Sequence, residues 1–234
     1  MNSRTSGNEI VQSLWIGPRL STMEQLCIRS FLAHGHEFHL YTYNDVAGIP
    51  EGTVIKDGND IMPESAIAKY THVVNFADTF RYKLLLDRGG WYVDMDMICL
   101  HPFDFLSPYV FLSFQNEVGS AAMKAPANSP VMEWCYNQAL LIGRPNMGWE
   151  ELGRLLDAAV KEFSLQQFVQ PPNVFCSIPW WSLPADAVKE PALEMPPDAF
   201  AAHLCHEMWV RLGYDPDKQY APGSLYEQLK ARYL

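Results

Sequence analysis

Apolar and polar positions change their period along the chain, and the changes mark its elements. Residues 10–16, IVQSLWI, form a short and nearly continuous apolar run closed by Gly17 and Pro18, which predicts a buried first strand. Ser21 then stands before Met23, Leu26, Cys27 and Phe31, apolar at helical spacing, so a capped helix is expected. Residues 37–43, EFHLYTY, read as a second strand with turn chemistry at Asn44 and Asp45. A strand, a helix and a strand in that order open a βαβ unit, and so a parallel sheet. Residues 48–59 read as loop and short strand, and 61–70 as a short helix. Further on, 109–114 and 120–126 read as strands, 129–142 as a helix with Pro130 at its first position, and 149–163 as a helix with Leu152, Leu155, Leu156 and Val160 on one face. Residues 164–200 are rich in proline yet carry Phe175, Trp180 and Trp181, so they read as an ordered, loop-rich segment. Residues 201–209 read as a strand entering a loop, and 224–234 as a final helix capped by Ser224.

The most informative stretch is 75–103, NFADTFRYKLLLDRGGWYVDMDMICLHPF. Its first half has helical periodicity, with Asp78, Arg81 and Tyr82 at i, i+3 and i+4 on one face. Gly89 follows Arg88 at the position where a helix end needs a left-handed backbone, and Gly90 shortens the break. The alternation of WYVDMDMI then predicts one strand, with Tyr92, Asp94, Asp96 and Ile98 on the same face. Two carboxylates side by side in apolar surroundings repel each other. A hard divalent cation, Mg²⁺ or Mn²⁺, resolves the conflict, because such ions favour carboxylate and phosphate oxygens. A solvated edge strand is the plainer reading of a bare Asp-x-Asp.

The composite of Asp78, Arg81, Gly89, Gly90, Tyr92, Asp94 and Asp96 resembles the DxD glycosyltransferases, and within them glycosyltransferase family 32, which holds the Och1-like and capsular-polysaccharide transferases. It is also similar to the large clostridial glucosylating toxins. The resemblance extends to SLWIGP near the start and HLCHEMW near the end. It implies a single α/β domain of GT-A type, Rossmann-like, with a mostly parallel central sheet flanked by helices. Within residues 1–234 the nucleotide-sugar part covers about 1–115 and the acceptor side about 116–234. The implied activity is metal-dependent, retaining transfer of a sugar from a nucleoside diphosphate sugar, a UDP-sugar or GDP-mannose, to a hydroxyl of a glycan, lipid-linked or small acceptor. Trp15 then borders the nucleotide base. Asp96 ligates the metal, Asp94 binds the ribose or the metal through water, Asp78 and Arg81 hold donor-sugar hydroxyls beside Tyr92, and the Trp209 indole donates to a phosphate. His203 fits the family's late histidine, six residues before Trp209, and is the expected third protein ligand, with His206 as its competitor. Cys205 departs from the pattern where relatives carry an aromatic. Asn116, beyond a strand C-terminus, is a candidate contact for the donor sugar.

Composition narrows the classes. Of 234 residues, 48% are hydrophobic and 19% charged, which suits a globular domain, and the net charge of -10 argues against nucleic acid as a partner. An acidic protein with an anionic donor needs local positive charge, which a metal and Arg81 would supply. The five cysteines are scattered with no CxxC pair, as in a reduced, cytoplasmic protein. The first residues lack a long apolar core, so neither a signal peptide nor an anchor is expected, and peripheral contact with the inner face of a membrane stays open. His34, His36 and His39 straddle a helix end and a strand and are not expected to converge. Two rivals remain: a haloacid-dehalogenase-like phosphohydrolase, whose DxD would however end the first strand, and a non-catalytic sugar-nucleotide-binding subunit.

Overall fold

The computed structural model describes residues 10–114, 117–142 and 152–234. The buried run at the start forms β1 (Ile10–Leu14), which lies inside a six-stranded sheet of order β3-β2-β1-β4-β7-β6. It pairs in parallel with β2 (Glu37–Thr42) on one side and β4 (Gly90–Val93) on the other. Next to β2 lies the parallel strand β3 (Val54–Asp57). The hairpin of β6 (Val110–Phe114) and β7 (Glu117–Ala125) completes the sheet, with β7 antiparallel to both β4 and β6. Every strand but β7 therefore runs the same way, as expected for a mostly parallel sheet. A second, two-stranded sheet pairs β5 (Met97–Cys99) with β8 (Ala201–His203).

Helices cover both faces, and the sequence shows why they form. In α1 (Thr22–Ala33), Ser21 Oγ accepts from Met23 N at 3.2 Å and Glu24 Oε2 accepts from Ser21 N at 2.6 Å, a reciprocal capping box that stabilises a helix start by about 1 kcal/mol. The second helix, α2 (Val73–Arg88), ends at Gly89, whose φ is 65°. A Cβ there would lie 2.4 Å from Ala127 N, so glycine is required twice over, by dihedral and by space. Beyond the sheet come α3 (Pro130–Ile142), α4 (Leu155–Glu162), α5 (His206–Arg211) and α6 (Leu225–Tyr233), the last capped by Ser224. One core lies between the sheet, α1 and α6, and the other between the sheet, α2, α3 and α4. Alternation along β4 divides its side chains between them: Trp91 and Val93 face the first core, Tyr92 the second.

Some boundaries differ from the expectation. The first strand stops at Leu14, and Trp15 leaves it after one last backbone bond, Trp15 N to Tyr41 O at 2.9 Å. Residues 61–70 form a 3₁₀ turn (Glu64–Lys69) and not an α-helix. The helix expected over 149–163 begins in residues outside the described ones, and its described part is α4. His34, His36 and His39 do not converge: they meet Ser30 O, Phe103 N and Glu37 respectively. Among the described residues no helix is long and apolar enough to cross a membrane.

Candidate active site

The expected single strand over 91–98 is two strands with a turn between them, and the turn carries both acids. β4 ends at Val93, and Asp94 N still reaches Ala121 O of β7 at 2.7 Å. Met97 N then folds back to Asp94 O at 3.2 Å, the i to i+3 bond of a β-turn. The chain leaves the main sheet as β5 and pairs with β8, Met97 opposite His203. Strand alternation is thus not what gathers the carboxylates. A turn at the carboxyl end of a central strand gathers them, at the edge where parallel sheets place ligands.

The β5–β8 pairing supplies the third group. His203 Nε2 lies 3.3 Å from Asp96 Oδ1, and ligand atoms of Asp94, Asp96 and His203 all fall within 4.8 Å of one another. Asp96 Oδ2 accepts from His206 N at 2.8 Å, and the buried Asp96 Oδ1 faces only the His203 imidazole. Two carboxylates and one imidazole with converging ligand atoms fit a divalent cation such as Mn²⁺ or Mg²⁺. His206 lines the same cleft but turns its Nδ1 to Glu24 Oε1, at 3.7 Å.

Asp94 is held from behind by a buried charge network. Arg81, 6% exposed, reaches Asp94 Oδ1 at 3.0 Å, Asp78 Oδ1 at 3.1 Å, Ser120 O at 3.0 Å and Ser120 Oγ at 2.7 Å. Its guanidinium lies 4.9 Å from the centre of the Tyr92 ring, a cation–π contact in a desolvated place. The two carboxylates respond oppositely. Burial pushes Asp94 up to about 6, against the pull of Arg81 and with the neighbouring Asp96 adding to it. Burial also acts upward on Asp96, but His203 and the His206 N–H hold it down at about 2. Burial opposes protonation of His203, yet Cys205 and Asp96 raise it well above the ordinary histidine value. Asp78 is raised by burial in spite of Arg81.

The cleft over the turn has a volume of about 280 Å³ and is lined by Trp15, Glu24, Arg81, Tyr92, Asp94, Asp96 and His206 among others. Trp15 is also a wall of a second cavity of about 380 Å³ with Tyr43 and Asn44, so the indole divides two hollows. Its Nε1 is buried without a partner, and a Cβ on Gly17 would come within 3.2 Å of it. Three acids and one arginine line the cleft among the described residues, and that arginine is already spent on Asp78 and Asp94.

Trp209 does not belong to this site. It is fully buried, its indole donates to Leu204 O at 2.9 Å, and its ring packs on Tyr214, Tyr220 and Tyr226. The donor expected for a phosphate is consumed inside the core, and this corrects its reading. Asn116 lies outside the described residues. Two residues at the site carry no signal in the sequence analysis: Glu24, which lines the cleft, and Ser120, which anchors Arg81.

Residues 22–113 match the model of a glycosyltransferase sugar-binding region containing a DXD motif, and Asp94-Met95-Asp96 is the Asp-x-Asp within that range. The matched range holds Asp78, Arg81, Tyr92, Asp94 and Asp96, but neither Trp15 nor His203. The PaToxG glycosyltransferase has a similar fold, with a TM-score of 0.51 at 12% identity, over 97% of this chain and 87% of that one. A cysteine-to-serine mutant described as a transferase aligns with a TM-score of 0.43 at 12% identity, over 66% of this chain and 84% of that one. No curated protein matches.

Proposed function

We propose that the protein is a metal-dependent glycosyltransferase that takes a sugar from a nucleoside diphosphate sugar, a UDP-sugar or GDP-mannose, and places it on an acceptor hydroxyl. The observation that carries this reading is the cleft's electrostatics. An anionic diphosphate has no unspent cation to meet among Glu24, Asp94, Asp96 and the committed Arg81, so the cleft takes such a donor only together with a divalent ion. Asp96, Asp94 and His203 would hold that ion, which when bound stabilises charge on the leaving diphosphate.

The remaining residues divide the work. Trp15, on the partition between two hollows and with a free indole N–H, stacks on the nucleotide base. Tyr92 supports the guanidinium of Arg81, and Arg81 fixes the carboxylate of Asp94, with Asp78 holding the arginine. This moves Asp78 and Arg81 from gripping sugar hydroxyls to positioning Asp94, because both terminal nitrogens of Arg81 already have protein partners. The donor side corresponds to about 1–115 and the acceptor side to about 116–234. Membership in glycosyltransferase family 32 and retention of the donor's anomeric configuration rest on the sequence resemblance. So do a place in polysaccharide assembly on a glycan or lipid-linked acceptor and a cytoplasmic site at or near the inner membrane face.

The test is turnover of a panel of UDP- and GDP-sugars with Mn²⁺, read as nucleoside diphosphate released, with the product anomer identified by NMR. Release that depends on Mn²⁺ and on one donor supports the reading. Phosphatase activity on simple phosphomonoesters, with no nucleotide-sugar turnover, would replace it with the phosphohydrolase.

A further inference from the structure

Behind His203 lies a separate cavity of about 260 Å³ whose walls include Phe114, Asn173, Cys176, Pro179, Trp180 and Trp181. It stands one imidazole away from the acids. The Phe114 ring lies 5.4 Å from the His203 ring, and Cys176 Sγ is 3.9 Å from His203 Nδ1, while the opposite edge of that ring faces Asp96. Phe114 ends β6, which runs parallel to β4 across β7, so the cavity opens at the same edge of the sheet as the acid turn. It lies on the far side of that turn from β1 and Trp15.

The chemistry of the wall is specific. Trp180 and Trp181 are 47% and 55% exposed, and their rings stand 5.8 Å apart at 86°. A 3₁₀ turn (Trp180–Ser182) starting from Pro179 holds them, with Ser182 N donating to Pro179 O at 3.0 Å. Single exposed apolar residues are ordinary, but two adjacent indoles on a fixed turn form an apolar patch of the kind that marks a binding surface. No described residue lining the cavity is charged. The polar groups at its rim are neutral: the Asn173 amide, tied to Asp198 at 2.5 Å, and the Ser177 hydroxyl. A wall of indole faces and neutral polar groups suits a ligand that offers C–H faces between hydroxyls, and it offers no cation to a phosphate.

From this arrangement we infer that Trp180 and Trp181 form the acceptor platform, and that the acceptor is a neutral saccharide stacked on an indole. The inference rests on the glycosyltransferase reading and deepens it by naming the acceptor class. The transfer it describes is balanced: the glycosidic bond to the diphosphate breaks, the acceptor oxygen forms the new bond, and the acceptor proton leaves with the diphosphate or solvent.

The experiment titrates the full chain with a panel of neutral mono- and disaccharide methyl glycosides while following tryptophan fluorescence, with wild type, Trp180→Ala and Trp181→Ala compared. Calorimetry of Mn²⁺ with UDP and GDP runs on the same samples. The expected result is quenching by at least one glycoside in wild type, weakened about tenfold or more in one of the variants, with Mn²⁺–nucleotide affinity unchanged in both. No quenching by any glycoside, or equal quenching in all three proteins, overturns the platform. Binding of N-acetyl-tyrosinamide in place of the glycosides overturns it in favour of a protein acceptor. Absence of Mn²⁺–nucleotide binding in wild type would instead count against the glycosyltransferase reading, so the two failures are told apart.

Discussion

His203 Nε2 sits 3.3 Å from Asp96 Oδ1 because Met97 and His203 are direct partners in the β5–β8 pairing. The bond from Leu204 N to Asp96 O, at 3.0 Å, continues that register past the end of the strand. A residue late in the chain is thereby fixed against the acid turn by backbone hydrogen bonds, which are stiffer than any side-chain contact. Its position is a property of the fold and does not depend on a ligand to assemble it.

Arg81→Lys is expected to damage the site although it keeps the charge. A lysine cannot reach Asp78, Asp94 and Ser120 together, so a buried carboxylate loses its partner, at a cost of about 3 kcal/mol. Urea denaturation should show that loss, and calorimetry should show weaker Mn²⁺–nucleotide binding. Unchanged stability would mean that the network is not closed as the structure has it.

Two tryptophans should behave oppositely. Trp15→Ala is expected to weaken nucleotide binding by roughly 1–3 kcal/mol, by analogy with base–aromatic stacking, and to leave the melting temperature nearly unchanged. Trp209→Phe loses the indole bond to Leu204 O and should cost about 1 kcal/mol of stability with no change in nucleotide affinity. Loss of nucleotide affinity in Trp209→Phe would restore that indole to the site.

Gly89→Ala tests the hinge between α2 and β4. The positive φ and the 2.4 Å approach to Ala127 N both penalise a Cβ. A loss of about 1–3 kcal/mol or more is expected in thermal or chemical denaturation. A neutral substitution would show that the turn relaxes freely, and then Asp94 is not held by the backbone that precedes it.

How much of this was legible in the sequence depended on the range of the interaction. The helix start at Ser21, the break at Gly89 and the shared helical face of Asp78 and Arg81 are local, within a few residues, and the residue types announce them. The mostly parallel sheet also followed, since strand, helix, strand leaves few ways to connect. The acid turn was misread as strand because alternation continues through VDMDMI, and no local signal marks where a strand leaves one sheet for another. Trp209 was misplaced for a related reason. Its environment is built by Tyr214, Tyr220 and Tyr226, which its own neighbours do not foretell. Glu24 was not legible because its partner is distant in the chain: one oxygen accepts from Ser21 N, and only the fold shows the other facing His206 across the cleft.

Under the proposed function, Asp94, Asp96 and His203 hold a divalent cation that a nucleoside diphosphate needs in order to bind. The most direct test is calorimetric titration of Mn²⁺ into the protein with UDP or GDP present, for wild type, Asp96→Asn and His203→Ala, with circular dichroism confirming that each variant is folded. Wild type is expected to bind nucleotide only with Mn²⁺, and each folded variant to lose tenfold or more in Mn²⁺ affinity. Tight nucleotide binding in excess EDTA, or full Mn²⁺ affinity in folded Asp96→Asn, would contradict it.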